Sequence, residues 1–173
     1  MDGVFNTFDK FDRITTFKAP RMKSPYIVDL NRINAFSHVL LQVPFIQVVV
    51  SSTWRLPSPD HGEPMANVKD FARVTKLPTR IFHRDWRTPL IGEGHNRAAE
   101  VNAWLEEHPE VFKYVVIDDN YADQFCNSKQ CRYIKTDPRT GITQKQLDRA
   151  LDFFSVRIKK DYSLATSGGP LIL

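Results

Sequence analysis

Cysteine is scarce in this 173-residue chain, which contains only Cys126 and Cys131, both in a polar stretch. One such pair suffices for a local disulfide or for half of a four-ligand zinc site. No second pair of Cys or His residues stands at a spacing that suits zinc. We therefore predict two free thiols and a reducing, cytoplasmic compartment.

Long apolar runs and glycine fingerprints are also missing. The longest apolar stretch, residues 39–50, is interrupted by Gln42, Pro44 and Gln47. It is far shorter than the ~18 residues of a membrane-spanning helix, and no signal peptide opens the sequence. We therefore predict a soluble protein without a membrane partner. None of the seven glycines forms a Gly-x-Gly-x-x-Gly motif after a strand, which argues against a Rossmann-type nucleotide-binding protein.

The composition is that of a single globular domain. Hydrophobic residues make up 42% and charged residues 25% of the 20.0 kDa chain, which suffices for a buried core. Lys and Arg exceed Asp and Glu by 24 to 20, which permits a phosphorylated or nucleic-acid partner without requiring one. The basic residues are spread along the chain, so a mixed, solvated surface explains them better than a nucleic-acid-binding stripe.

Strand-like and helix-like segments alternate along the chain. Apolar residues at helical spacing predict helices, the first of them entered at Ser24-Pro25. Runs of β-branched residues predict strands. The predicted helices cover residues 25–41, 66–77, 98–108 and 143–154, and the predicted strands cover residues 45–50, 79–86, 114–117 and 131–136. We expect a hairpin or flap over residues 5–17 and a loose tail over residues 163–173.

This alternation predicts an α/β fold with a parallel, doubly wound sheet flanked by helices. The run at 79–86 carries Arg and His residues, so we expect that strand near an edge of the sheet. We assign residues 1–155 to one domain and residues 156–173 to a C-terminal tail.

Polar side chains collect at predicted strand ends and at one helix start. Asp118 and Asp119 end one strand, Ser51-Ser-Thr53 ends another, and Arg97 begins a helix. Open α/β sheets bind ligands at the carboxyl ends of their strands. A carboxylate pair suits a hard cation such as Mg²⁺. A hydroxyl beside a fixed cation suits a phosphoryl group in transfer.

Each of these residues also has a purely structural explanation. An isolated Asp-Asp pair is more often an acidic turn than a metal site, and Ser51 can cap the turn that follows it. Arg97 can pair with Glu93 or Glu100 along its own helix, and Asp2 can belong to a flexible terminus. The joint order of these groups along the chain is what favours a functional site.

Four segments carry a resemblance to a known family. They are Met1-Asp-Gly-Val-Phe-Asn6, Val48-Val-Val-Ser-Ser-Thr-Trp-Arg55, Arg97-Ala-Ala-Glu-Val-Asn-Ala-Trp-Leu105 and Val115-Val-Ile-Asp-Asp119. Over residues 1–155 the sequence resembles the haloacid dehalogenase-like (HAD) phosphatases, most closely the compact HAD domains attached to RNA-repair proteins. The resemblance implies a HAD-like Rossmannoid fold with little or no cap and a sheet in the order 5-4-1-2-3.

The resemblance also implies a cofactor and a set of site residues. HAD phosphatases use an aspartate nucleophile that becomes an aspartyl-phosphate and a second aspartate as acid and base. Asp2 matches the acid/base, Ser51 the hydroxyl that binds the phosphoryl oxygen, and Arg97 the cation that steadies the phosphate. The implied Mg²⁺ ligands are Asp2, Asp118 and Asp119, and the implied substrate-side residues are Ser52, Thr53 and Arg55.

The nucleophile of this motif has no counterpart in the sequence. Met1 stands between the two aspartates of Asp-x-Asp-Gly, so the nucleophile and the strand that carries it would both precede Met1. We therefore expect a sheet whose first, central strand is truncated. An earlier true start, a truncated inactive chain, or replacement of the strand by another segment would each explain this. We prefer the first, because Pro170-Leu-Ile-Leu173 looks too short to replace the strand.

The sequence thus predicts a Mg²⁺-dependent, phosphatase-like hydrolase that acts on a phosphomonoester. An aspartyl-phosphate route requires the upstream aspartate. Short linkers between the strands leave no room for a large cap, which favours large substrates such as nucleic-acid ends. The alternative is a catalytically inactive HAD-like module that binds a phosphorylated or nucleic-acid partner.

Overall fold

The computed structural model describes residues 4–5, 14–17, 26–43, 45–52, 67–92, 96–125, 132–154 and 170–172. These residues form a five-stranded sheet and a separate two-stranded antiparallel sheet. In the smaller sheet, β1 (Ile14–Phe17) pairs with β2 (Tyr26–Asp29). None of the helices in these ranges is long and apolar enough to cross a membrane.

The larger sheet is entirely parallel. Its strands are β3 (Gln47–Val50), β4 (Phe82–Arg87), β5 (Val115–Asp118), β6 (Tyr133–Lys135) and β7 (Pro170–Ile172), in the spatial order β4-β3-β7-β5-β6. The β-branched runs of β3 and β5 are almost wholly buried, as expected of strands covered on both faces. The predicted α/β fold is confirmed, and β4 lies at an edge as predicted.

The centre of the sheet is filled by the C-terminal segment of the chain. β7 pairs in parallel with β3 on one side and with β5 on the other. This is the position that the resemblance assigns to the first strand. Of the three explanations for the missing strand, replacement by another segment is the one that the structure shows, and the expectation that residues 170–173 are too short for this role is wrong. The predicted loose tail is also wrong at residues 170–172, which form β7. Three residues suffice here because strands on both sides supply backbone partners.

Five α-helices lie in the described ranges. Because side chains alternate between the two faces of the sheet, the buried residues form two layers, one on each face. Val48 of β3 belongs to the layer that contains residues of α1, α2 and α5. Val49 belongs to the opposite layer, with Trp104 of α3. β7 follows the same alternation, since Leu171 lies in the first layer and Ile172 in the second. The helices are α1 (Leu30–Leu41), α2 (Val68–Thr75), α3 (Arg97–Glu107), α4 (Ala122–Phe125) and α5 (Gln144–Phe153).

The first helix begins later than the sequence predicted. Residues 26–29 form β2, because their backbone pairs with β1. Asp29 then caps α1 by accepting hydrogen bonds from the backbone N–H groups of Asn31 (3.0 Å) and Arg32 (3.4 Å). A carboxylate at this position is a strong helix-start signal. The predicted entry at Ser24-Pro25 lies outside the described residues.

Gly141 allows the N-terminal residues to approach the core. Its φ is +64°, and a Cβ atom there would stand 2.6 Å from the carbonyl oxygen of Val4. That carbonyl oxygen accepts a hydrogen bond from the backbone N–H of Ile142 (2.7 Å). The next residue, Phe5, is fully buried and packs edge-on against Phe36 at a ring-centroid distance of 4.8 Å.

Substitution of Gly141 by alanine is expected to lower the free energy of unfolding by about 2–4 kcal/mol, because a clash with Val4 adds to the strain of a positive φ. Gly92→Ala is the matched control. Its φ is +72°, but a Cβ there would have no described atom within 4 Å. In Gly92→Ala the backbone strain of a positive φ should therefore be the only effect, and it should lower the free energy of unfolding by about 1–2 kcal/mol. Urea unfolding measures both values, and equal losses would contradict the close approach at Gly141.

Candidate functional site

Side-chain alternation brings the ends of β3 and β5 to one face of the sheet. Val49 and Val116 both lie in the layer that contains α3, and Ser51 and Asp118 follow them by two residues. Both polar side chains are therefore directed toward α3 at the carboxyl edge of the sheet. Ser51 is 1% exposed and the Asp118 side chain is 13% exposed. The sheet thus presents a hydroxyl and a carboxylate in a largely dry environment.

Arg97, the first residue of α3, connects these strand ends. Its Nη1 donates hydrogen bonds to Glu100 Oε2 (2.9 Å) and to Ser51 Oγ (3.3 Å). Ser51 Oγ in turn donates to Glu100 Oε2 at 3.4 Å. Arg97 and Glu100 form a buried ion pair, with side chains 6% and 2% exposed. The three side chains therefore make one network, in which Glu100 orients both the guanidinium and the hydroxyl.

A second nitrogen of Arg97 lacks a hydrogen bond. Nε is buried and has no hydrogen-bond partner in the described part of the chain. Asp118 Oδ2 lies 3.8 Å away, within ion-pair range but beyond hydrogen-bonding distance. A buried donor without an acceptor costs about 1–3 kcal/mol. An anionic oxygen bound beside Ser51 and Arg97 would satisfy this donor.

Asp118 and Asp119 form a crowded carboxylate pair. Burial, followed by the neighbouring charge of Asp118, raises the pKa of Asp119 above the usual carboxyl range. Asp118 Oδ1 accepts a hydrogen bond from the backbone N–H of Asn120 (2.9 Å). A nearby cation stabilises the charged form of a carboxyl group that lies beside a second carboxylate. Carboxylate oxygen atoms are the ligand type that Mg²⁺ prefers, so the residues present fit this ion.

Two further hydroxyl groups support the site, and neither of them was identified from the sequence. Thr88, directly after β4, donates from Oγ1 to Ser51 Oγ (3.0 Å). Tyr133 on β6 donates from its hydroxyl to the carbonyl oxygen of Asp118 (2.9 Å). Burial, followed by the charge of Asp118, raises the pKa of Tyr133, so its hydroxyl remains a donor. Neither residue lies near its partner in the sequence, and no local pattern identifies them.

The structure brings together Ser51, Arg97, Asp118 and Asp119 of the predicted site. The structure adds Glu100 to the site. The sequence signal for this residue was its position three residues after Arg97, where the two side chains can pair on one helix face. Ser52 follows Ser51 and is 5% exposed. The remaining predicted site residues, Asp2, Thr53 and Arg55, lie outside the described residues, as do Cys126 and Cys131.

The sheet order β4-β3-β7-β5-β6 and the polar groups at its carboxyl edge together define a HAD-like, hydrolase-type α/β module. A family model for the HAD domain in Swiss Army Knife RNA repair proteins matches residues 1–147. The chain belongs to this family. Comparisons with curated proteins and with solved structures gave no match.

Proposed function

We propose that this protein is a Mg²⁺-dependent, phosphatase-like hydrolase that acts on a phosphomonoester where Ser51, Arg97 and Asp118 meet. The observation that carries the proposal is the buried Nε of Arg97, which has no hydrogen-bond partner among the described residues. The same guanidinium group already bonds Ser51 Oγ. A fixed cation beside a hydroxyl, both shielded from water, is the donor set that a phosphoryl group requires.

The network supports the proposal by holding its donors in place. Arg97 would donate from Nε to a phosphoryl oxygen, while its Nη1 stays bonded to Glu100. Ser51 would contact a second phosphoryl oxygen, and its hydroxyl is oriented by Thr88. Because these groups are positioned before substrate arrives, little reorganisation opposes the reaction.

The carboxylates have separate roles in this proposal. Asp118 and Asp119 would hold Mg²⁺ together with Asp2, and the ion when bound would neutralise charge on the phosphoryl group. Asp2 would also protonate the leaving group and then accept a proton from water. Ser52, Thr53 and Arg55 follow the phosphoryl-binding hydroxyl in sequence and are the proposed contacts to the rest of the substrate.

The strand register supports an inference about where an aspartate nucleophile would lie. Ile172 of β7 pairs with Val49 and with Val116. A residue two places beyond Ile172 is therefore level with Ser51 and Asp118. The aspartyl-phosphate route requires an aspartate at that level, between the phosphoryl-binding hydroxyl and the metal-binding acids.

Nucleic-acid ends are the substrate class that we favour. The matched family is described as a domain of RNA repair proteins. Between β3 and β4, the described residues contain only α2 and a short 3-10 helix, Thr79–Ile81. A site over which these described residues place no bulky lid admits the end of a polymer. The chain has 24 basic and 20 acidic residues, and this basic excess is compatible with a polyanionic substrate.

Hydrolysis by proteins that carry an added aspartate tests the proposal. An aspartate is placed either before Met1 or after Leu173, and asparagine at the same positions provides the control. Substrates are p-nitrophenyl phosphate and RNA oligonucleotides with 5′ or 3′ phosphates, in the presence of Mg²⁺. We expect turnover at least about a thousandfold faster with aspartate than with asparagine at one of the two positions. Asp119→Asn or a chelator should abolish it, and equal rates for Asp and Asn would refute the aspartyl-phosphate route.

A catalytically inactive module that binds phosphate is the second candidate. The buried Nε of Arg97, which has no hydrogen-bond partner among the described residues, supports phosphate binding whether or not hydrolysis follows. Two results would select this function. The protein would bind phosphorylated RNA and lose that binding in Arg97→Met, and neither aspartate-bearing protein would hydrolyse the substrates.

A further inference from the structure

A group of metal-ligating side chains lies away from the phosphoryl site. His83 and Asp85 occupy alternate positions on β4, and His108 follows the last residue of α3. One ligand atom from each residue lies within 4.8 Å of the other two. His108 stands eleven positions after Arg97, which is about 16 Å along a helix. The group is therefore separate from the carboxylates that the proposed function assigns to Mg²⁺.

We propose that His83, Asp85 and His108 form a binding site for a divalent transition metal, with Zn²⁺ as the best fit. Two imidazoles and one carboxylate favour Zn²⁺ over Mg²⁺, which prefers oxygen ligands alone. Three protein ligands leave the fourth position of a tetrahedral ion open. Asp85 and His108 also line a cavity of about 400 Å³, together with Trp104 and Arg84. Water or a small ligand can reach the open position through this cavity.

The surroundings orient the imidazoles before an ion binds. The His108 ring is buried and stacks on Trp104 with ring centroids 3.9 Å apart. Its Nδ1 lies 2.7 Å from the carbonyl oxygen of Trp104. This contact places the ring proton on Nδ1 and leaves Nε2 as the ligand atom, an arrangement typical of metal-binding histidines. His83 packs edge-on against both rings, with centroid distances of 5.0 Å.

Ion binding requires only small movements of these side chains. Ligand atoms of a tetrahedral zinc ion lie about 3.3 Å apart. His108 Nε2 already stands 3.1 Å from Asp85 Oδ2. The Asp85 side chain is 57% exposed, and its other ion pair, with Arg84 Nε at 3.3 Å, is likewise at the surface. His83 Nδ1 accepts a hydrogen bond from the backbone N–H of Asp85 (3.1 Å), and binding through this atom exchanges that bond for a metal–nitrogen bond.

An ion pair between Asp85 and His108 accounts for only two of the three residues. His83 lies beside this pair, with its ring centroid 5.0 Å from that of His108, and it adds a third ligand atom within 4.8 Å of the other two. A shared metal ion binds both rings in their neutral form. The third member of the group therefore favours a metal site over an isolated ion pair.

Titration of the metal-free 173-residue chain with Zn²⁺ tests the proposal. Calorimetry is performed in excess Mg²⁺, which occupies the carboxylate site, and Co²⁺ provides a visible absorption spectrum that reports tetrahedral coordination. We expect a single zinc site. Asp85→Asn and His83→Gln should each weaken zinc binding by more than about tenfold. His38→Gln, at an exposed histidine outside the group, should leave the affinity unchanged.

Cys126 and Cys131 provide the competing explanation for zinc binding. We expect a variant with both cysteines replaced by serine to retain the site. Loss of zinc binding in that variant, or unchanged affinity in Asp85→Asn, would overturn the proposal, as would the absence of zinc binding by the parent chain. Because the Asp85 side chain is exposed, Asp85→Asn keeps the fold and separates ligand loss from unfolding. This readout does not depend on phosphatase activity, so either proposal can fail without the other.

Discussion

Removal of residues 170–173 is expected to abolish cooperative folding of this protein. β7 lies between β3 and β5 at the centre of the sheet. Without it, buried backbone groups on both neighbouring strands lose their partners, at about 1–3 kcal/mol for each group. Several such losses, together with loss of the buried side chains of Leu171 and Ile172, are comparable with the roughly 5–15 kcal/mol by which a domain is stable. Circular dichroism and urea unfolding of the shortened chain measure the effect.

A single substitution in the same strand isolates the contribution of one side chain. Leu171 is 2% exposed, and Leu171→Ala is expected to lower the free energy of unfolding by about 2–5 kcal/mol. Leu90→Ala is the matched control because Leu90 is 59% exposed, and its effect should stay within about 0.5 kcal/mol. An unchanged unfolding midpoint after removal of residues 170–173 would show that β7 does not complete the sheet in solution.

Replacement of Arg97 by methionine is expected to abolish phosphate binding and to destabilise the protein by about 3–5 kcal/mol. Glu100, with a side chain 2% exposed, would keep its buried charge without the paired guanidinium. The same substitution removes the Nε donor that we assign to the phosphoryl group. Calorimetry with phosphorylated RNA measures binding, and urea unfolding measures stability.

A double variant separates these two effects of Arg97→Met. In Arg97→Met/Glu100→Met the buried ion pair is replaced by two apolar side chains, which is often neutral for stability. Stability should therefore largely recover, while phosphate binding stays absent. Arg97→Lys retains a charge but loses the planar donor arrangement of arginine, so weakened binding is expected. Unimpaired binding of phosphorylated RNA by Arg97→Met would remove the main support for the proposed function.

Local sequence patterns were sufficient to locate the strands that carry the site. The β-branched runs that became β3 and β5 are each followed by polar residues, Ser51 and Asp118. Since parallel strands share a carboxyl edge, these two residues could be placed at one edge without coordinates. Arg97 could be placed at a helix start in the same way, and the structure confirms all three positions.

Other residues of the site come together only when segments that are distant in the sequence pack against each other. Thr88 and Tyr133 reach Ser51 and Asp118 from strands that are distant in sequence, so no local spacing reveals them. Residues 26–29 show how tertiary pairing can override a helical pattern. Their backbone bonds to β1 displace the helix start to Leu30.

The sequence by itself determined the α/β class, the edge position of β4 and the grouping of a hydroxyl, a guanidinium and two carboxylates. These features follow from periodicity and from strand ends, which are local. Only the tertiary structure decided which segment occupies the centre of the sheet and which histidines meet. A strand of three residues has too few positions to show a period, and its stability comes from β3 and β5 on either side. His83 and Asp85 meet His108 because the C-terminal end of α3 packs against β4. Asp85 and His108 are 23 positions apart in the sequence.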